Sequence, residues 1–140
     1  MYLDVNGVRT ADRPGNDHLR EAVESLDGKG DSFVILSQDE MSYIQAAGDP
    51  TSGYVIEYQD GSLDEHYCCN TASVGTEDLV LTFQSYLAQD DRWKSVLSWK
   101  KEEVGAASVP VGRPRMRTVF LILASAALLW MLTEVLLTNP

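Results

Sequence analysis

Residues 53–67, Gly53 to Tyr67, read GYVIEYQDGSLDEHY, and this stretch decides the fold. Tyr54, Ile56 and Tyr58 recur at every second position, which puts them on one face of an extended strand, and Asp60-Gly61 is a dipeptide that tight hairpin turns favour. The return arm, Leu63 to Cys69, carries Leu63, Glu65, Tyr67 and Cys69 on one face and Asp64, His66 and Cys68 on the other, so one face stays polar. The periodicity is that of a β-hairpin in an antiparallel sheet.

Upstream, Asp49-Pro50-Thr51-Ser52-Gly53 is a turn cluster. Before it, Phe33 to Leu36 is an apolar run of strand formers, and Met41, Tyr43 and Gln45 alternate with Ser42 and Ile44 after the polar Gln38-Asp39-Glu40. These segments predict a four-stranded meander. Nearer the amino terminus, Asn6-Gly7 between Leu3, Val5 and Val8 suits a hairpin turn with two very short arms. Past Pro14 and Gly15, Asn16 or Asp17 can cap a helix in which Leu19, Ala22, Val23 and Leu26 fall at i, i+3, i+4 and i+7, ending at Gly28.

Downstream, Thr76 supplies a capping hydroxyl, and Glu77 and Asp78 place negative charge at the positive end of a second helix. Its apolar stripe is Leu79, Val80, Phe83, Tyr86 and Leu87, which covers the sheet. Trp93 to Lys101 fits a short final strand or an irregular edge equally well, with Trp93 and Trp99 closing the end of the sheet. The expected fold class is α+β: an antiparallel four- to five-stranded meander packed by two amphipathic helices, over residues 1–103. Val104 to Pro114, with its glycines, prolines and small residues, reads as part of a flexible basic tether over residues 104–117.

The chain then turns apolar on every face from Val119 to Leu137, directly behind Arg113, Arg115 and Arg117. A helix over residues 118–138 is about 30 Å long at roughly 1.5 Å per residue, the thickness of a hydrocarbon core. Glu134 lies about a turn from its far end, within reach of headgroups. A buried core helix is the competing reading, but the preceding ~115 residues could hardly enclose one that is apolar all round. The three membrane-flanking arginines keep the amino-terminal side cytoplasmic, so the expectation is a tail-anchored, single-pass membrane protein.

Charge is unevenly spread. The chain has 11 basic and 21 acidic residues, yet residues 1–91 hold 18 acidic and four basic side chains, a net of −14. An acidic domain disfavours direct nucleic-acid binding, which needs a cationic face, and it suits a basic protein partner. The plainer alternative is that acidity only keeps the domain soluble. Interface carboxylates are expected on hairpin tips and loops: Asp39, Glu40, Asp60, Asp64, Glu65, Asp90 and Asp91.

No catalytic constellation stands out. The two histidines, His18 and His66, sit in no recognised metal or hydrolase pattern, and no phosphate loop or nucleophile elbow occurs. Cys68 and Cys69 are neighbours that diverge on a strand, which makes them reduced packing residues and poor partners for a disulfide. His66 with both cysteines offers three soft ligands, but the divergence and the lack of a fourth ligand argue against a metal site. Asp39-Glu40 and Asp90-Asp91 read as solvated loop tips. No cofactor, metal or catalytic residue is expected.

Three segments together resemble the first immunity-protein family of bacterial polymorphic toxin systems: FVILSQDEMSYIQAAG from Phe33, GYVIEYQDGSLDEHY from Gly53, and EDLVLTFQSYLAQDDRWKSVLSW from Glu77. The shared elements are a Y-I-Q-A-A-G strand end, a G-Y-x-x-E-Y-x-D-G hairpin and a helix closing in Y-L-x-x-D-x-x-W before a last Trp, covering residues 33–99. The resemblance implies a small α+β protein that binds a toxin domain and blocks it. The motif positions look structural, so no binding residue transfers. Such immunity proteins are typically free soluble domains, and the apolar tail departs from that pattern. The alternative expectation is a membrane-localised scaffold or regulatory subunit with no toxin partner.

Overall fold

In the computed structural model, which describes residues 1–30 and 32–102, the elements run β1 (Tyr2–Val5), β2 (Val8–Ala11), α1 (Asn16–Glu24), β3 (Phe33–Ser37), β4 (Ser42–Asp49), β5 (Gly53–Asp60), β6 (His66–Cys69), α2 (Thr76–Leu87), α3 (Arg92–Val96) and β7 (Trp99–Glu102). All seven strands join one antiparallel sheet in the order β2-β1-β3-β4-β5-β6-β7. The α+β class holds, and the meander β3-β4-β5-β6 forms its centre.

The sheet is wider than the expected four to five strands. The expected Asn6-Gly7 hairpin forms as β1 and β2, and four-residue β1 and β7 are each joined to the meander by a long-range partner. β1 continues past its hairpin to pair along β3, with Tyr2 opposite Ser37 and Val5 opposite Val34, and β7 pairs with β6 from His66–Glu102 to Cys69–Trp99. Asn6 (φ 53°) and Gly7 (φ 78°) both take the left-handed conformation that a mirror-image two-residue turn requires. The return arm of the central hairpin starts at His66 rather than Leu63. Residues 61–65 stay in the turn, closed by Asp60 N–H to Glu65 O at 3.0 Å.

Both expected helices form, α1 capped one or two residues and α2 one residue earlier than expected, and α1 ends at Glu24 rather than Gly28. Gly15 precedes α1, and its N–H donates to His18 Nδ1 at 3.0 Å; Gly75 precedes α2 without any side-chain cap. Extended backbone at these glycines already starts each helix, so Asn16 and Thr76 lie inside the first turn. Arg20 on α1 grips Glu77 on α2 through two hydrogen bonds of 2.8 and 2.9 Å.

The core lies between the helices and one sheet face. Leu19 and Val23 from α1, with Leu79, Val80 and Phe83 from α2, meet Leu3, Leu36, Ile44, Tyr54, Ile56 and Cys69. Each fully buried aliphatic or aromatic side chain contributes ~1.5–3 kcal/mol. Tyr54 also donates its hydroxyl to Val23 O at 3.3 Å, tying β5 to α1. At the β4–β5 turn, Gly48 (φ +136°) leaves no room for a side chain, because a Cβ would stand 2.3 Å from Gly53 O.

Among the described residues no helix is long and apolar enough to cross a membrane. The expected tether (104–117), the span (118–138) and Arg113, Arg115 and Arg117 lie outside the described residues.

Candidate functional site

Antiparallel order gathers the polar loops. β3 and β5 end where β4 and β6 begin, and α2 finishes at the same end, so residues 38–41, 61–65 and 88–91 converge there. A cleft of about 160 Å³ at this end is lined among others by Gln38, Asp60, Tyr86, Asp91 and Lys94. All seven carboxylates expected at an interface fall at or beside this end.

They are not equivalent. Asp39 accepts from Met41 N–H at 2.8 Å, which shapes its own turn. Asp60 and Asp91 both reach Lys94 Nζ at 3.5 Å, yet their side chains remain 61% and 88% exposed and available to a partner. Glu40 and Asp64 stand exposed on their loops. Asp90 and Glu65 serve the fold instead. Asp90 takes Arg92 Nη2 at 2.6 Å and the Ser85 hydroxyl, and Ser85 Oγ in turn accepts from Trp93 N–H at 3.0 Å, so this network seats α3. The Arg92 guanidinium, then the Ser85 hydroxyl, hold the Asp90 carboxyl down at about 2. Glu65 pairs with Lys101 Nζ at 2.5 Å and accepts from the Tyr67 hydroxyl, and these contacts, Lys101 foremost, hold it below the usual carboxylate range.

Beneath the acidic end lies an aromatic cluster. Tyr58 stacks on Tyr67 at 4.6 Å and meets Trp93 and Trp99 edge-on at 4.7 and 4.8 Å. Trp93 and Trp99 thus close the end of the sheet. Burial pushes the Tyr58 hydroxyl up to about 12, and burial with the charges of Asp60 and Asp39 raises Tyr86. Both phenols stay neutral around pH 7.

A second constellation occupies the sheet face opposite the helices. Gln45, Glu57, Gln59, His66 and Cys68 are all buried there. Register explains the grouping: Glu57 lies between Gln45 and Cys68 on the flanking strands, Gln59 opposes His66, and His66 opposes Glu102. The Glu57 carboxylate is the hub. It accepts from Gln45 Nε2 at 3.1 Å and from the Cys68 thiol at 3.3 Å, and His66 Nε2 lies 3.6 Å away. Burial, followed by the Glu57 and Glu102 charges, raises the Cys68 thiol. Among the described residues, Glu57, His66 and Cys68 form a group whose nitrogen, sulfur and oxygen ligand atoms all lie within 4.8 Å of one another.

Cys69 points the other way, into the hydrophobic core. The two cysteines do diverge, and Glu57 from the neighbouring strand stands where a second thiol would have been needed. Sequence reasoning missed Glu57 and Gln45. Their positions in the alternation put them off the apolar face, but only the β5–β6 register brings them to His66 and Cys68. Comparison with protein-family models, curated proteins and solved structures returns no match.

Proposed function

We propose that this chain is a tail-anchored, non-catalytic binding protein whose acidic domain captures and neutralises a basic protein partner at the cytoplasmic face of a membrane, the partner being a polymorphic toxin domain. The observation that carries the reading is the convergence of three loops, far apart in sequence, that bring Asp39, Glu40, Asp60, Asp64 and Asp91 to one end of the sheet. A surface on which carboxylates outnumber cations speeds encounter with a basic partner and disfavours anionic competitors. The motifs of residues 33–99 supply the partner class, and the arginine-flanked apolar tail supplies the location.

The test is co-expression with toxin domains encoded by neighbouring genes. Rescue of growth and a complex that weakens with salt are expected. A panel of neighbouring toxins with neither rescue nor binding would sink the proposal. The apolar tail favours a second reading, a membrane-localised scaffold or regulatory subunit; it gains if the gene sits in a transport or envelope operon with no toxin nearby.

A further inference from the structure

We propose that Glu57, His66 and Cys68 form a binding site for a zinc-class divalent metal ion that clasps β5 to β6. The donors are a carboxylate oxygen, an imidazole nitrogen and a sulfur, the mixture that zinc accepts. Tetrahedral zinc, with Zn–S of ~2.3 Å and Zn–N or Zn–O of ~2.0 Å, sets its ligand atoms ~3.3–3.5 Å apart. Cys68 Sγ stands 3.3 Å from one Glu57 oxygen, and His66 Nε2 stands 3.6 Å from the other. These two separations are close to those a metal imposes, and one carboxylate oxygen, the nitrogen and the sulfur all lie within 4.8 Å of one another.

The surroundings are those of a ligand site. All three residues are buried, at 4%, 7% and 4% exposure, so their alternative partners are one another rather than water. Gln45 Nε2 orients the Glu57 carboxylate from outside the triad, as outer partners of metal ligands do. Glu102 stands opposite His66 in the β6–β7 register, on the strand that flanks the site. Coordination replaces the Cys68 S–H with a metal–thiolate bond and releases that proton to solvent. Glu57 and His66–Cys68 flank the hairpin tip that carries Asp60, Asp64 and Glu65, so the ion would fix that tip at its base. The site rests on its own geometry and stands whether or not the partner is a toxin.

The experiment uses the full-length chain in detergent, stripped with a chelator and titrated with Co²⁺ and then Zn²⁺. Expected are saturation at one ion per chain, tetrahedral d–d bands, a thiolate-to-cobalt charge-transfer band, and a melting temperature that rises with metal. Cys68→Ser should abolish the charge-transfer band, and Glu57→Gln should weaken binding by more than the ~10–100-fold lost on removing an outer partner. Cys69→Ala, on the core side, should retain the band. Wild-type protein with a native circular-dichroism spectrum and no charge-transfer band overturns the site, as does a band that survives Cys68→Ser and vanishes in Cys69→Ala.

Discussion

Glu57 sits mid-strand, buried, and is held by Gln45 and Cys68 on opposite sides. Its removal leaves an amide, a thiol and an imidazole facing a void. Glu57→Ala should therefore destabilise the domain by on the order of 3 kcal/mol in denaturant unfolding of the metal-free protein. Gly48 is constrained differently: at φ +136°, with carbonyl oxygen 2.3 Å from any Cβ, Gly48→Ala must shift the β4–β5 turn. A cost of ~1–3 kcal/mol from the backbone conformation alone is expected in the same assay. Asp90 makes a pH prediction. Its folded-state carboxyl is lowered from 3.8 to about 2, so its contribution is fully present above the unfolded value and is lost as pH falls from about 4 toward 2. Arg92→Ala removes the principal cause of that shift, and acid unfolding followed by tryptophan fluorescence should then begin at higher pH than in the wild type.

At the scale of elements, α2 packs Leu79, Val80 and Phe83 into the core, all three wholly buried. Phe83→Ala should cost ~3–5 kcal/mol, which thermal melts would register as a large drop in Tm. The stripe of α2 is legible from spacing alone, as is the alternation of β5, because each repeats over enough residues to exceed local noise. The β1–β2 hairpin is legible from Asn6-Gly7, but the docking of β1 along β3 and of β7 along β6 joins residues far apart in sequence, and no local pattern announces it. The helix caps lie one or two residues before the expected side-chain caps for a related reason. A glycine in extended conformation begins a helix as readily as a side-chain cap does, and side-chain chemistry cannot tell the two apart.

At the scale of the molecule, one end of the sheet is acidic and the face away from the helices bears the Glu57–His66–Cys68 cluster. If the acidic end steers a basic partner, Asp60→Lys together with Asp91→Lys should slow association by ~10-fold or more at low salt and flatten its salt dependence, as read by stopped-flow. Both side chains are largely exposed, so folding should be little changed. The amino-acid sequence by itself determined the α+β class, the central meander, both helix faces, the acidity of the domain and the divergence of Cys68 and Cys69, since each is set by side-chain spacing or composition within a short window. The tertiary structure alone decided the seven-strand width, the meeting of three acidic loops at one end, and the approach of Glu57 to His66 and Cys68. Those features depend on strand order and register, which arise from backbone hydrogen bonds between residues up to tens of positions apart, and a local pattern carries no record of which strand will lie beside which.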